Sequence, residues 1–167
     1  MLLRHAKSSW ADPALADVDR PLNRRGERAA AAMGAYLREH DLRPDVVLCS
    51  PARRTRQTLA AVEAELGDGF AVELAPDVYG GGPAVLLELL RALPDSAGAV
   101  MVVGHNPGLE ELALLLAAPG NERARVGEKF PTGALAVLEA GCERWADLAP
   151  GGAELVAFVV PRELEGS

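Results

Sequence analysis

The sequence begins Met1-Leu2-Leu3-Arg4-His5-Ala6-Lys7-Ser8-Ser9-Trp10, an apolar run that ends abruptly in an adjacent arginine and histidine. A short apolar run of this kind is typical of the end of a buried strand. Arg4 and His5 then stand where the strand leaves its sheet. Ligands of open α/β sheets bind at that edge, so a cation beside an imidazole indicates an anionic ligand meeting a nucleophile or a proton carrier. Taken alone, such a pair is more often a surface arginine beside a solvated or core histidine.

Length and charge limit the class of protein. The chain has 167 residues, and we expect one domain over residues 1–167 that buries its core without disulfides or metal. The net charge is −7 and the isoelectric point is near 5.0. This balance argues against a nucleic-acid partner, which favours a basic surface. Any anion-binding site must therefore be local.

The cysteines and the hydropathy of the chain bear on its cofactors and its cellular compartment. Cys49 and Cys142 stand alone, without a second cysteine or histidine at metal-ligand spacing, so we expect no metal and no other cofactor. Two isolated cysteines also fit a reducing compartment. Neither a leader-like amino terminus nor a run of about 18 apolar residues is present, so we expect a cytoplasmic protein without a membrane partner.

A second strand end carries two arginines. The run 45–49 reads as a buried strand, after which Ser50 is predicted to cap a helix with Pro51 at its first position. Arg53 and Arg54 follow in the first turn of that helix. Unpaired N–H groups and a partial positive charge at a helix start attract anions, so arginines placed there strengthen an anion site. Helix geometry does not choose between Arg53 and Arg54.

A second histidine, like His5, directly follows a predicted strand. The near-continuous apolar run Gly98–Val103 predicts a central strand covered on both faces. It leads to His105, after which Asn106 is predicted to cap a helix that starts at Pro107. Two of the three histidines therefore follow apolar strands. Both are expected at the same edge of the sheet.

The remaining pattern completes the predicted architecture. Asn23 is expected to cap a helix that ends near His40, which we expect at the surface. The further predictions are a strand over 70–74, an irregular loop over 76–83, a helix over 83–92, a polar excursion over 119–129, and strands over 134–138 and 154–160, with another strand within 141–152. Alternating strands and helices followed by strands alone predict a mostly parallel sheet, helices on both faces and an antiparallel edge.

Four spaced motifs resemble a known family. They are Leu3-Arg4-His5-Ala6-Lys7-Ser8, Arg20-Pro21-Leu22-Asn23-x-x-Gly26, Ser50-Pro51-Ala52-x-Arg54-x-x-Gln57-Thr58 and Val103-Gly104-His105-Asn106-Pro107. In this order they resemble the histidine phosphatase superfamily, most closely its small phosphohistidine phosphatase branch. The resemblance implies the phosphoglycerate-mutase-like fold, a three-layer α/β/α sandwich.

The resemblance also implies roles for particular residues. His5 would accept the phosphoryl group as a covalent phosphohistidine that water later hydrolyses, and Arg4 would hold the phosphoryl oxygens. Family spacing from Ser50 selects Arg54 as the second phosphate arginine. His105 would complete the pocket as a positively disposed donor. Arg20 and Ser8 would bind substrate, and neither metal nor cofactor would be needed.

One departure from the family pattern bears on the substrate. Larger members carry a glutamate after the third strand that protonates an alcohol leaving group, whereas the corresponding loop here offers only Asp77, which matches poorly. This favours a phosphatase acting on phosphohistidine in proteins, with inorganic phosphate as product. The alternatives are a phosphomonoesterase for a small metabolite, sugar or nucleotide phosphate, and a non-catalytic phosphate-binding module.

Overall fold

The computed structural model describes residues 1–164, and its six strands form one sheet. The strands are β1 Leu2–Arg4, β2 Val46–Cys49, β3 Ala71–Leu74, β4 Val100–Gly104, β5 Leu135–Ala140 and β6 Ala153–Val159. Their order across the sheet is β3-β2-β4-β1-β5-β6. The β2–β3, β2–β4 and β1–β4 pairs are parallel, while β1–β5 and β5–β6 are antiparallel. The predicted parallel sheet with an antiparallel edge is therefore confirmed.

Seven helices accompany the strands in the described residues. They are α1 Arg24–Glu39, α2 Arg53–Leu66, α3 Asp77–Gly80, α4 Pro83–Arg91, α5 Gly108–Leu116, α6 Asn121–Glu128 and α7 Pro161–Leu164. Asn23 caps α1 as predicted, because its side-chain oxygen accepts a hydrogen bond from the Gly26 N–H at 2.8 Å. Over residues 1–164, no helix combines the length and the apolar character needed to cross a membrane.

Helices cover both faces of the sheet, which makes the molecule a three-layer sandwich. Neighbouring strand residues point to opposite faces. Leu2 and Val102 belong to one buried cluster, which contains apolar residues of α4 and α5. Leu3 and Val103 belong to the other, which contains apolar residues of α1 and α2. This two-sided burial explains why the central strands read as nearly continuous apolar runs.

The sheet brings its two histidine-bearing strand ends together. β1 and β4 are adjacent and parallel, with Arg4 opposite Gly104. The chain leaves β1 toward β2 on one side and leaves β4 toward β5 on the other. A crevice forms at the carboxyl edge where connections diverge in this way, and ligands of open α/β sheets bind there. His5 and His105 both lie at this point.

Two helix starts differ from the sequence prediction. Helix α2 begins at Arg53 with Ala52 as its cap, so Pro51 is not its first residue. Helix α5 begins at Gly108, and Asn106 does not cap it. In both cases the polar side chain that was expected to cap has another partner. Ser50 contacts His105, and Asn106 donates hydrogen bonds to Glu110 and to the Phe130 carbonyl.

Three segments predicted as irregular or extended also form other structure. Part of the polar excursion over 119–129 is the helix α6, and part of the loop over 76–83 is the short helix α3. The strand predicted within 141–152 is wrong, since that segment contains one 3₁₀ turn, Trp145–Asp147. Composition alone missed these elements because they are short and lack an extended apolar period.

Candidate active site

His5 and His105 face each other at the carboxyl ends of β1 and β4. Their ring centroids are 5.1 Å apart and the rings are tilted by 52°. The backbone N–H of His5 donates to the backbone carbonyl of Gly104 at 3.0 Å, and this bond connects the two strand ends. The structure thus places the two imidazoles side by side, close enough to contact the same tetrahedral anion.

The hydrogen bond of His5 fixes its tautomer. Its Nδ1 lies 2.7 Å from the Ala6 carbonyl oxygen, and a carbonyl only accepts, so Nδ1 carries the hydrogen. The lone pair is therefore on Nε2. Burial, reinforced by the nearby Arg54 and Arg4, lowers the pKa of His5 from 6.5 to about 4. His5 is consequently neutral and unprotonated at Nε2 at neutral pH, as a nucleophile must be.

His105 has the opposite tautomer. A guanidinium only donates, so Arg54 Nη2 donates to His105 Nδ1 at 3.3 Å, and the hydrogen is on Nε2. Nε2 lies 2.7 Å from Ser50 Oγ, which accepts from it. Burial and the neighbouring His5 and Arg54 lower the pKa of His105 to about 3. The ring is therefore a neutral donor in this structure, whereas a positively disposed one was expected.

Two arginines, one buried and one half-buried, flank the histidine pair. Arg4 Nη1 donates to the Phe130 carbonyl at 2.7 Å, and Arg54 is almost fully buried at the start of α2, whereas Arg53 is exposed. Within residues 1–164, the Nε atoms of Arg4 and Arg54 are both buried without a hydrogen-bond partner. Buried donors are nearly always satisfied, so two orphaned guanidinium N–H groups beside one histidine pair indicate an anion site.

Asp17 is part of this site, although the sequence reasoning missed it. Arg54 donates to the Asp17 carbonyl at 2.6 Å and to its Oδ2 at 3.0 Å. Tyr79 Oη donates to the same Oδ2 at 2.6 Å, and Arg20 Nε donates to Oδ1 at 3.1 Å. The hydrogen bond from Tyr79, followed by those from Arg54 and Arg20, lowers the pKa of Asp17 to about 2. The loop contains three acidic residues, Asp12, Asp17 and Asp19, and no pattern in the sequence distinguishes Asp17 from the other two.

Tyr79 comes from the segment in which Asp77 was the candidate acid. The Tyr79 ring lies edge-on to His105 with centroids 5.3 Å apart. Asp77 is exposed, and its side chain forms no hydrogen bond within the described residues. The carboxylate that the structure places beside Arg54 and His105 is therefore that of Asp17, which accepts a hydrogen bond from the hydroxyl of Tyr79.

Arg20 and Ser8 are buried beside the site and contact each other. Arg20 Nη1 donates to Ser8 Oγ at 3.0 Å, and the guanidinium carbon lies 3.4 Å from the ring centroid of Trp10. Both residues line a cavity of about 600 Å³ that also includes Arg4 and His5. The structure thus places the expected substrate-binding residues next to the histidine, but engages Ser8 and Arg20 with one another.

The other motif residues hold the loop that follows β1. Thr58 Oγ1 accepts from the Ala6 N–H at 3.0 Å, and Gln57 Oε1 accepts from the Leu22 N–H at 2.8 Å. At Gly26, a Cβ atom would overlap the Lys7 carbonyl oxygen, so only glycine permits this close approach of α1. These contacts explain why the motifs need a threonine, a glutamine and a glycine at these positions.

Two further expectations from the sequence were a surface position for His40 and a site without metal. His40 is exposed at the end of α1, far along the chain from both strand ends and stacked on Tyr36. In the part of the chain that the structure describes, no group of three or more His, Cys, Asp or Glu side chains could hold a metal ion. Metal independence of the reaction stays a prediction.

Comparison with known proteins agrees with the geometry. The profile of the histidine phosphatase superfamily (branch 1) matches residues 1–79. The uncharacterized protein Rv1276c of Mycobacterium tuberculosis H37Rv is 43% identical over 164 residues, which cover 96% of this chain and all of the relative. An uncharacterized chloroplastic protein of Arabidopsis thaliana, At3g52155, is 35% identical over 96% of this chain and 77% of its own length.

Solved structures extend the similarity to the whole fold. The provisionally named phosphohistidine phosphatase SixA of Nakamurella multipartitia is 39% identical, with a TM-score of 0.82 over 96% of this chain and 95% of its own. A protein histidine phosphatase SixA complexed with tungstate is 25% identical, with a TM-score of 0.81 over 98% and 97% of the two chains. With two arginines and two histidines converging at one sheet edge and relatives that match over nearly the full chain, the protein belongs to the histidine phosphatase superfamily.

Proposed function

We propose that this protein is a phosphatase that forms a covalent phosphohistidine on His5 and acts on phosphohistidine in proteins. The observation that carries the proposal is the pairing of a free Nε2 lone pair on His5 with buried guanidinium N–H groups of Arg4 and Arg54 that lack a partner within residues 1–164. A non-catalytic phosphate-binding module would need the cations but not an unprotonated nucleophile.

The reaction proceeds in two displacements at phosphorus. The lone pair of His5 Nε2 forms a new P–N bond, while the P–N bond to the substrate imidazole breaks and its electron pair stays on the leaving nitrogen. Water then attacks the phosphorus bound to His5, and the electron pair of the breaking P–N bond returns to Nε2. Inorganic phosphate leaves with the oxygen and one hydrogen of that water, and the other hydrogen goes to a phosphate oxygen or to solvent as a proton. Each step needs a nucleophile in line with the leaving group.

The chain's own residues stabilise the charge on the transferring group. Arg4 and Arg54 donate hydrogen bonds to phosphoryl oxygens through N–H groups that have no partner among the described residues. His105 carries its hydrogen on Nε2 and turns that donor from Ser50 Oγ to the phosphoryl group. Preorganised donors of this kind supply most of the catalysis in phosphoryl transfer.

The state of the site carboxylate supports a nitrogen-bound phosphoryl group. An alcohol leaves readily only when an acid protonates it. Asp17, with a pKa of about 2, has no proton to give at neutral pH, and Asp77 is exposed. A phosphorylated imidazole can leave as a neutral ring when its other nitrogen already carries a proton. The described site therefore suits phosphohistidine better than sugar or nucleotide esters.

The test is a panel of phosphorylated compounds of different leaving groups. We expect phosphate release from phosphoimidazole and from a phosphohistidine peptide, with kcat/KM at least about 100-fold above that for alkyl phosphates, as general-acid catalysis typically contributes that much. An aryl phosphate, whose leaving group needs no proton, should fall between them. Equal or faster hydrolysis of an alkyl phosphate would support the phosphomonoesterase alternative instead.

A further inference from the structure

A strongly cationic cavity extends from His5 along the surface. This cavity of about 600 Å³, here called the cationic groove, shares Arg4 and His5 with the site described above. Its walls come from the loop after β1, the first turns of α1, the end of α6 and the residues around α7. Among the described residues, its cationic and anionic side chains are Arg4, Lys7, Arg20, Arg25, Arg125, Lys129 and Arg162, against Glu128 alone.

This concentration of positive charge contrasts with the rest of the protein. The chain has 24 acidic and 17 basic residues, yet seven of the basic ones line the cationic groove. A second cavity of similar size, about 560 Å³, lies at the opposite end of the strands and contains two basic and four acidic residues among those described. The positive potential is thus focused at the active-site end, as in proteins that steer anionic partners.

Four of the cations form no ion pair in the described structure. Lys7, Arg25, Lys129 and Arg162 are exposed and have no acidic partner within residues 1–164. Arg125, in contrast, is paired with Glu122 at 2.9 Å and Glu163 at 2.6 Å. Lys7, Arg25 and Lys129 therefore place uncompensated charge around the groove.

We propose that the cationic groove binds acidic side chains of a phosphorylated protein that lie next to its phosphohistidine. This rests on the proposed function, since the groove is continuous with His5. In this arrangement the phosphoryl group occupies the pocket between the two histidines. Neighbouring Asp or Glu carboxylates then pair with Lys7, Arg25 and Lys129. The groove selects the protein in which the phosphohistidine is presented.

The character of the groove favours a protein over a small anion. Small-molecule pockets are mostly apolar and hold a few precisely placed polar groups. Here the charges sit on long, exposed side chains, and Trp10, which also lines the groove, is 77% exposed. Exposed charges at an interface rim mainly set association rate and partner choice. A large aromatic ring beside them is typical of protein-binding surfaces.

Binding without chemistry tests the groove directly. The probes are fluorescein-labelled, unphosphorylated ten-residue peptides with a central histidine flanked by Asp and Glu, or by Asn and Gln. We expect fluorescence anisotropy at low salt to show binding of the acidic peptide at least about tenfold tighter than the neutral one, and weaker binding as salt screens the charges. Equal affinity for both peptides, or none for either, would overturn the proposal.

Charge reversal locates the effect. The triple variant K7E/R25E/K129E should remove the preference for the acidic peptide, and K7Q/R25Q/K129Q should reduce it. The matched control R24E/R28E/R56E carries the same change in net charge at exposed positions outside the groove, and it should retain the preference. An equal loss in the control would show that only net charge matters, and the groove assignment would be wrong.

Turnover separates this proposal from the proposed function. Phosphoimidazole needs only the histidine pocket, so K7E/R25E/K129E should hydrolyse it within about twofold of wild type. The same variant should lose at least about tenfold in kcat/KM for the phosphorylated acidic peptide. If the wild-type protein shows no phosphoimidazole turnover, the proposed function is wrong, while the binding assay still tests the groove proposal.

Inorganic triphosphate tests the alternative ligand. If it binds more tightly than the acidic peptide, and if K7E/R25E/K129E loses this binding, the groove binds small polyanions and not a protein.

Discussion

His5 and His105 differ in tautomer because their Nδ1 atoms face opposite kinds of hydrogen-bonding group. A carbonyl oxygen faces Nδ1 of His5, while a guanidinium faces Nδ1 of His105. The first ring therefore exposes a lone pair at Nε2, and the second exposes a donor. Two identical side chains thus gain complementary roles from a backbone atom and from Arg54. We expect these roles to be separable by mutation.

Replacing each histidine should give different losses. His5→Ala should abolish both turnover and covalent labelling, because no nucleophile remains. His105→Ala should still become labelled but should lose about 10²–10³-fold in kcat, the usual cost of removing one donor to a developing charge. Rapid-quench labelling with ³²P-phosphoimidazole measures both, and the label should be acid-labile and base-stable.

The exposed third histidine provides the control for that experiment. His40→Ala should keep wild-type turnover and labelling, since His40 stacks on Tyr36 away from the strand ends. Robust turnover by His5→Ala, or label mapped to His105, would reverse the assignment of roles.

The buried histidines should also make stability depend on pH. Their folded pKa values of about 4 and about 3 lie below the unfolded value of 6.5, so the unfolded chain binds more protons between these values. Stability is therefore full above about pH 6.5 and is lost as the pH falls toward 4. From pH 7.5 to 5 each histidine should cost on the order of 2 kcal/mol of unfolding free energy.

Urea unfolding of wild type and variants at the two pH values checks this dependence. His5→Gln should lose clearly less stability on acidification than wild type, because one of the two coupled rings no longer titrates. His40→Gln should lose as much as wild type. An identical loss in His5→Gln and wild type would show that the pKa of His5 is not depressed in the folded protein.

At the scale of elements, the helices α1 and α2 hold the loop that carries His5. Thr58 of α2 accepts a hydrogen bond from the Ala6 N–H through its hydroxyl oxygen. Gly26 of α1 lies so close to the Lys7 carbonyl oxygen that it has no room for a Cβ atom. The two residues that follow His5 are thus held by contacts with these two helices. Its position depends on residues that never touch substrate.

Adding a methyl group to two glycines should therefore have opposite effects. Gly26→Ala forces the first turn of α1 away from Lys7, and we expect a loss of roughly 1–3 kcal/mol in stability together with lower kcat/KM. Gly127 lies in α6, and a Cβ atom there would contact only Leu114 of α5, at an ordinary distance of 3.7 Å. Gly127→Ala should therefore leave the stability of the protein unchanged or raise it by up to about 1 kcal/mol. Thermal unfolding and phosphoimidazole turnover measure both effects; a neutral Gly26→Ala would contradict this packing argument.

At the scale of the whole molecule, an oxyanion that binds only the folded state should stabilise it. A ligand at 100 times its Kd adds about 2.7 kcal/mol, which for a chain of this size raises the Tm by roughly 5–10 °C. Phosphate, sulfate or tungstate should give this shift and should inhibit competitively, because Arg4 and Arg54 carry donors without a partner in the part of the chain that the structure describes.

Neighbouring arginines on α2 make this experiment specific. Arg54→Ala should remove most of the oxyanion-dependent shift, whereas Arg53→Ala should keep it because Arg53 is exposed. Differential scanning fluorimetry with and without oxyanion reports both. An unchanged shift in Arg54→Ala would place the anion elsewhere on the protein.

The sequence by itself determined the sheet and the placement of its two histidines. Continuous apolar runs identify buried parallel strands, and a parallel sheet gathers the residues that follow its strands at one edge. Strand ends such as those before His5 and His105 are therefore readable from local pattern. The Asn23 cap was readable for the same reason, because its partner lies three residues away.

Only the tertiary structure decided which other groups complete the site. Helix geometry alone left Arg53 and Arg54 equivalent, and only the resemblance to a family selected Arg54. The physical difference is the burial of Arg54 against Asp17, 37 residues away. Arg4 meets a carbonyl 126 residues along the chain, and the walls of the cationic groove come from segments equally distant in sequence. Such contacts join irregular loops with no apolar period, so no local pattern predicts them. They follow from the way the sheet and its helices bring those loops together.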